Sequence, residues 1–208
     1  MKITKYEHAC FTVENDGNVL VVDPGAYTTD FVAPENVVGV VLTHMHEDHF
    51  DKDLVAQIVD KNPGVIIIAP ADVVAQIEVF ETRTVIGGDS VSLPGFELDF
   101  FGSEHAFIYE HSHVADNVGV LINDLIYYPG DSFTVPEKPV DTLALPVAAP
   151  WLKTAEVIDF ALAIKPRFIF PTHDAILSNT GKDLSDQVVP RLVDGVDYQR
   201  IDGQTIDV

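Results

Sequence analysis

The sequence predicts an α/β fold in which two β-sheets pack face to face and helices cover their outer faces. Strand patterns and helix patterns alternate in two blocks, each block ends in helices, and hairpin signals lie within the strand-rich parts. These hairpins argue against the competing architecture, a doubly wound parallel sheet. No linker or repeat divides the 208 residues, so we expect residues 1–208 to form one domain.

The first block begins with a predicted β-hairpin. Alternating apolar stretches at residues 10–13 and 19–22 flank the turn Asn15-Asp16-Gly17-Asn18. After it, an unbroken run of β-branched residues indicates a buried strand, and apolar residues three or four positions apart indicate helices. On these patterns the block continues with a strand, a helix, a strand and a helix at residues 37–42, 51–60, 65–69 and 71–80.

The second block is rich in predicted strands up to residue 145. These strands are expected at residues 85–86, 90–93, 96–101, 118–122, 125–128 and 142–145. A helix follows at 154–164, where Thr154 can act as the cap and Pro166 stops the helix. The turn Asp202-Gly203 suggests a final hairpin, and Pro190 leaves the start of the preceding helix open. The last elements are a strand, a helix and two hairpin strands at residues 167–170, 183–193, 198–201 and 205–208.

Composition narrows the choice of partners and compartment. Apolar residues make up 47% of the chain, which is enough for a packed core. The 33 acidic and 12 basic residues give a net charge of -21, which repels polyanions and disfavours a nucleic-acid partner. With no apolar run long enough for a membrane span and no secretory signal, we expect a cytoplasmic protein. The single cysteine, Cys10, is predicted to be a core residue, and the oligomeric state stays open.

A histidine cluster follows the predicted strand at 37–42. Of the eight histidines in the chain, His44, His46 and His49 fall within six residues. Residues two apart in an extended segment point to the same side, so His44 and His46 can face one metal ion. Asp48 and His49 follow at the turn from strand to helix and could face a second ion. Imidazole and carboxylate ligands suit zinc, and also manganese or iron. The alternative, a solvated polar loop, does not explain this density of metal-binding side chains.

The run His44-x-His46-x-Asp48-His49 resembles the signature motif of the metallo-β-lactamase superfamily. Segments that resemble other elements of the family occur in the expected order along residues 6–174. They are found at residues 8–11, 21–25, 101–105, 128–132 and 170–174. The size and the early His-Ala-Cys-Phe segment are most similar to short hydrolases related to ascorbate-6-phosphate lactonase.

This resemblance implies an αββα four-layer sandwich of two mixed β-sheets flanked by helices, with two divalent metal ions at one edge. The implied ligands are His44, His46 and His105 for one ion, Asp48, His49 and His173 for the other, and Asp131 between them. Zinc is the expected metal, with manganese or iron as alternatives. A water bridging the ions would be the nucleophile, and the catalytic residue Asp48 would also orient that water.

Other histidines and one aspartate could replace a ligand of this set or orient one. His111 and His113 are rivals for the position of His105, which we favour because it follows the predicted strand at 96–101. Asp23 could accept a hydrogen bond from a ligand histidine, or it could simply form a turn before Pro24. We expect His8 to support a ligand or to be packed rather than to bind metal.

Two residues near the implied mouth of the site could contact a substrate. Trp151, the only tryptophan, could stack on it, and Lys153 could meet an anionic group. The alternative is a packing tryptophan and a solvated lysine.

On these grounds we expect a hydrolase that uses two metal ions to cleave a small ester, lactone or phosphoester. A nuclease of the ribonuclease Z type is an alternative, although the acidic charge opposes it. A di-iron redox protein is a second alternative, but such relatives usually carry glutamate at the position of His46. A binding module without catalysis is the third, and the complete ligand set argues against it.

Overall fold

The computed structural model describes residues 1–109 and 114–208 and confirms the predicted sandwich of two mixed β-sheets flanked by helices. Strands and helices are numbered in chain order. In spatial order, the first sheet of the described residues consists of β14 (Thr205–Asp207), β1 (Lys2–Lys5), β2 (Phe11–Asn15), β3 (Asn18–Val22), β4 (Val37–Val41), β5 (Ile66–Ala69) and β6 (Thr82–Thr84).

The second sheet repeats this plan. In spatial order its described strands are β13 (Asp197–Tyr198), β12 (Phe168–Thr172), β11 (Thr142–Pro146), β10 (Ile126–Tyr128), β9 (Gly119–Ile122), β8 (Phe96–Phe101) and β7 (Ser90–Leu93). Both sheets are mixed: β3 to β6 and β10 to β13 run parallel, whereas the other pairs are antiparallel. The helices in the described part are α1 (Lys52–Lys61), α2 (Ala71–Val74), α3 (Thr154–Ile164) and α4 (Asn179–Leu192). None of these is long and apolar enough to cross a bilayer.

Three apolar layers hold the sandwich together. The middle layer lies between the sheets and includes Val41 of the first and Phe170 of the second. Because successive side chains of a strand point to opposite faces, the neighbouring Val40 faces outward, where it packs with α1 and α2. Ile169 likewise faces the outer layer formed with α3 and α4. Strands buried on both faces explain the unbroken apolar runs in the sequence.

The predicted final hairpin is wrong. A turn does form at Gly203, whose φ is +70°, but the strands on its two sides belong to different sheets. β13 pairs in parallel with β12, whereas β14 pairs antiparallel with β1. Strand β1 was not expected, because its buried Lys5 interrupts the alternation of apolar and polar residues. The C-terminal segment therefore completes the edges of both sheets.

Other boundaries differ for local reasons. Helix α2 ends at Val74 rather than 80, but Ile77 and Phe80 in the following turns still pack on the layer that their spacing suggested. Strand β6 lies at 82–84 rather than 85–86. Thr154 does not cap α3; the Glu156 carboxylate accepts from the backbone N–H of Lys153 at 2.8 Å. Helix α4 begins at 179 rather than 183, and Pro190 lies inside it.

Candidate metal centre

The residues predicted as metal ligands meet at one edge of the sandwich. They are carried by the segments that follow β4, β8, β10 and β12, so both sheets contribute. Helix α1 starts immediately after the histidine run because the Asp51 carboxylate accepts from the backbone N–H groups of Asp53 and Leu54 at 2.8 and 3.0 Å. This cap sets the turn that places Asp48 and His49 at the sheet edge.

Two of the three groups of possible ligands that the described residues form lie side by side, and the third, Asp23 with His44 and His49, overlaps both. In one, His44, His46 and His105 each offer a nitrogen within 4.8 Å of the others. The other group consists of His8, Asp48, His49 and His173. Each of these residues offers one nitrogen or carboxylate oxygen, and these atoms also lie within 4.8 Å of one another. The histidines at 44, 49, 105 and 173 are buried, whereas His46 and Asp48 are partly exposed and border the open side.

Asp131 lies between the two groups. Its Oδ1 is 3.2 Å from Nε2 of His49, and its Oδ2 is 3.0 Å from Nε2 of His173. The same Oδ2 is 3.3 Å from Nε2 of His105, which belongs to the other group. One carboxylate thus contacts histidines of both groups, as a bridging ligand would need to do.

The histidine rings are oriented from behind by hydrogen bonds at Nδ1. The Nδ1 of His49 donates to Asp23 Oδ2 at 2.7 Å, and the Nδ1 of His105 donates to the Ala106 carbonyl at 2.5 Å. The Nδ1 of His173 donates to the Ala148 carbonyl at 2.6 Å. A neutral imidazole that donates through Nδ1 carries its lone pair on Nε2. In their neutral form these rings therefore present a lone pair to the space between them.

The buried ends of the rings have no hydrogen-bond partner in the described part of the chain. The atoms concerned are Nε2 of His44, His49, His105 and His173, together with Oδ1 of Asp131. Buried polar atoms are normally satisfied, so a convergent set of free imidazole and carboxylate acceptors needs a cation. The donor set fits divalent metal ions that accept nitrogen and oxygen ligands.

Asp23 orients two histidines at once. Its buried carboxylate accepts from the Thr43 backbone N–H at 2.8 Å, from the Thr43 hydroxyl at 2.6 Å and from His49. Because the Thr43 hydroxyl donates to Asp23, its oxygen is free to accept from Nδ1 of His44, 3.0 Å away. The same network thus presents Nε2 of both rings.

His8 touches the site without offering it a lone pair. Its Nδ1 accepts from the backbone N–H of Ala175 at 3.2 Å, so Nε2 carries the proton and donates to Asp48 Oδ2 at 3.1 Å. Burial lowers the pKa of His8 to about 4, which keeps the ring neutral near pH 7. Although His8 lies within ligand distance of its neighbours, both of its nitrogens are occupied. It orients Asp48.

The metal-free cluster binds protons where we expect ions. Burial opposes protonation of His173, but the charges of Asp131 and Asp48 outweigh it and raise the pKa of His173 to about 9. The same balance, with Asp131 and Asp23, raises the pKa of His49 well above its usual value. A divalent cation would replace these protons, so loading should release them.

A cluster of charges lies directly behind His173. Asp174 is fully buried, and its Oδ2 accepts from Arg200 Nη1 and lies 3.6 Å from Lys182 Nζ. Arg200 also donates to Asp186 of α4 at 2.8 Å. The cluster ties the turn that carries His173 to α4 and to the C-terminal segment. The cluster thereby supports the backbone of His173, whose φ is +58°.

The remaining predicted residues differ in whether the structure places them at the cluster. Trp151 Nε1 donates to Asp131 Oδ2 at 2.9 Å, so this side chain reaches the site. Lys153 is on the surface, with 82% of its side chain exposed and its Nζ 3.6 Å from Glu156. The rivals His111 and His113 lie outside the described residues, whereas His105 is in the cluster.

Some supporting groups could not be found by motif. Asn117 is buried; its side-chain oxygen accepts from the Asp131 backbone N–H at 3.0 Å and its amide donates to the Pro129 carbonyl at 3.0 Å. Gly130 has a φ of +62°, and a Cβ there would lie 2.4 Å from Asn117 Oδ1, so this turn requires glycine. The Gly-Asp pair carried a signal in the sequence, but Asn117 and the carbonyls of Ala106 and Ala148 carried none.

Comparisons with known proteins identify relatives of this chain in sequence and in fold. The family described as "Beta-lactamase superfamily domain" matches residues 2–173. Protein Rv0786c of Mycobacterium tuberculosis is 31% identical over 183 residues, 86% of each chain. A UPF0173 metal-dependent hydrolase of Brucella anthropi is 32% identical over 116 residues, 51% of this chain and 48% of that one. Igni18, described as a novel metallo hydrolase of Ignicoccus hospitalis, has a similar fold, with a TM-score of 0.77, 18% identity and coverage of 100% of this chain and 98% of that one.

Proposed function

Because the chain belongs to the metallo-β-lactamase superfamily, we propose that it is a hydrolase that uses two divalent metal ions, with zinc first, to cleave a small ester, lactone or phosphoester. The observation that carries this proposal is the convergence of four buried histidine Nε2 atoms and one carboxylate oxygen without hydrogen-bond partners among the described residues. A relative of similar sequence bears the name metal-dependent hydrolase, which supports the reaction class.

The proposed ligands divide into two sets. They are His44, His46 and His105 for one ion, and Asp48, His49 and His173 for the other, with Asp131 as the ligand of both. The contacts of Asp131 with histidines of each set support this division. Histidine-rich sets with oxygen ligands suit zinc, with manganese or iron as alternatives. The one cysteine, Cys10, is buried in the core layer beside α1 and takes no part.

Metal ions held there would acidify water and polarise the oxygen of the scissile bond. The contribution of the chain is to orient groups around that water. Burial favours protonation of Asp48, but the neighbouring imidazoles of His173 and His8 outweigh it and hold the pKa of Asp48 well below its usual value. Asp48 therefore stays ionised at neutral pH. With one oxygen held by His8 and part of its side chain exposed, it can accept a hydrogen bond from the attacking water.

Charge favours a small substrate over a nucleic acid. The net charge of -21 repels a long polyanion, which must lie across much of the surface. Lys182 and Arg200 are engaged by Asp174 behind the site. This distribution disfavours the ribonuclease Z alternative. The likeness to ascorbate-6-phosphate lactonase, the single-domain organisation and the cytoplasmic location stay predictions from the sequence.

A chelation and reloading experiment tests the proposal. The purified protein is stripped with chelator, reloaded separately with zinc, manganese or iron(II), and offered small esters, lactones, phosphodiesters and structured RNA. We expect hydrolysis of a small substrate that disappears on chelation, returns with metal and falls at least about 100-fold in Asp48→Ala.

The matched control is Asp60→Ala, which changes an exposed aspartate of α1 and should keep the rate of the unaltered protein. Efficient cleavage of RNA, or small-molecule turnover that survives both chelation and Asp48→Ala, would overturn the proposal.

A further inference from the structure

Trp151 is hydrogen-bonded to the carboxylate of Asp131, which lies between the two ligand groups. Its Nε1 donates to Asp131 Oδ2 at 2.9 Å. The indole is held in turn by Phe133, with ring centroids 5.1 Å apart, and Phe133 packs on Phe160 of α3 at the same distance. The donor therefore sits on a packed aromatic support rather than on a freely moving side chain.

The other anchors of Asp131 act on its backbone. Its N–H donates to Asn117, and its carbonyl accepts from the Ala106 N–H at 2.7 Å. These bonds fix the main chain, but a carboxylate can still rotate about its last bond. Apart from the histidine rings, the indole N–H is the only hydrogen-bond donor to this carboxylate within the described residues. It fixes the rotation that brings Oδ1 to His49 and Oδ2 to the other ring nitrogens.

One loop serves two ligands. The segment between β11 and α3 contains both Trp151 and Ala148, whose carbonyl accepts from Nδ1 of His173. Its first residue, Val147, donates its backbone N–H to the Thr172 carbonyl at 3.1 Å, next to His173. A loop tied to the strand that carries one ligand thus also positions a second ligand from a different strand.

We propose that Trp151 is a positioning residue for metal binding, whose indole N–H holds the Asp131 carboxylate where it faces both groups of histidines. This inference rests on the proposed function, because it takes Asp131 as a ligand. An ionised carboxylate has about four acceptor positions, so one bond from Trp151 leaves room for metal. Trp151 thereby has a role in metal binding that differs from the predicted stacking of its ring on a substrate.

Zinc affinity is the first test. Trp151→Phe keeps an aromatic ring against Phe133 but removes the N–H. Competition with a chromophoric chelator should show zinc binding about 10–100-fold weaker than in the unaltered protein, the usual cost of losing a group that orients a ligand. The control Tyr127→Phe also removes one aromatic hydrogen-bond donor, but that donor bonds the Thr134 carbonyl rather than a proposed ligand. Its zinc affinity should stay close to that of the unaltered protein.

Fluorescence gives a second test that needs no substitution. Trp151 is the only tryptophan, so all indole emission comes from the residue bonded to Asp131. Titration with zinc should shift that emission and saturate together with binding, since the charge at its hydrogen-bond partner changes.

Equal zinc affinity in Trp151→Phe, or emission that stays constant while chelator competition shows full zinc binding, would overturn the role of Trp151 alone. Failure of the unaltered protein to bind zinc, manganese or iron(II) would overturn the proposed function together with it.

Discussion

Asp23→Asn should weaken the metal centre without touching a proposed ligand atom. The substitution preserves shape but replaces a buried carboxylate that accepts three hydrogen bonds, two from Thr43 and one from His49. The amide can retain an acceptor at only one of its two ends. If its oxygen faces the Thr43 hydroxyl and His49, its NH2 group faces the Thr43 backbone N–H, and two donors meet.

The magnitude follows from these contacts. Two retained bonds change from a charged to a neutral acceptor, which costs about 1 kcal/mol each, and the orphaned buried N–H costs about 1–3 kcal/mol. We therefore expect the metal-free protein to lose about 3–5 kcal/mol of unfolding free energy. Zinc affinity should fall about 10–100-fold, because the ring of His49 loses the carboxylate that orients it and raises its basicity.

Urea unfolding of the metal-free protein and zinc competition with a chelator measure these two effects. The matched control is Asp16→Asn, an exposed aspartate in the turn between β2 and β3 with a φ of +50°, a conformation that asparagine tolerates. Unchanged zinc affinity in Asp23→Asn would refute the argument that Asp23 orients the ring of His49.

Three further outcomes are expected. His105→Ala should lower metal occupancy sharply in elemental analysis, whereas His113→Ala should not, because His105 contacts the central carboxylate. Arg200→Met should cost about 3 kcal/mol in urea unfolding, because it removes the guanidinium that pairs with the buried Asp174 and leaves the more distant Lys182 beside that carboxylate. Folded His173 has a pKa of about 9 against an ordinary 6.5, so thermal melting in chelator should show metal-free protein losing stability as pH rises through that window. Zinc affinity should rise over the same window, as protons leave the ligand.

Opposite results would contradict these three predictions. If His113→Ala lost its metal and His105→Ala kept it, the proposed ligand set would be wrong. Arg191→Met, at an exposed arginine near the end of α4, is the control for Arg200→Met, and equal losses in the two variants would contradict a special role for the buried pair. A melting temperature that rises between pH 6.5 and 9 without metal would contradict the account of His173.

The sequence was sufficient for features that depend on local spacing. The run from His44 to His49 predicted a cluster because the residues are close in the chain and follow a buried strand. The more distant Asp131 and His173 were predicted only through the order of motifs in a resembling family. The structure brings them to the same edge, because both follow parallel strands of the second sheet.

Long-range pairing and backbone partners escaped prediction for physical reasons. The turn at Asp202-Gly203 was recognisable, but turn chemistry does not determine which sheet each flanking strand joins. The carbonyl of Ala148 orients His173. Every residue has a backbone carbonyl, so the residue type at this position carries no signal for that role. The bond from Trp151 to Asp131 depends on a loop conformation that residue type alone does not encode.

Anomalous diffraction at the zinc edge from crystals grown with saturating zinc tests the central claim most directly. We predict two peaks about 3.5–4 Å apart, the usual separation in sites where two ions share a ligand. One peak should lie beside His44, His46 and His105, and the other beside Asp48, His49 and His173, with Asp131 between them. A single peak at this edge, or none, would contradict the proposal of a two-metal centre.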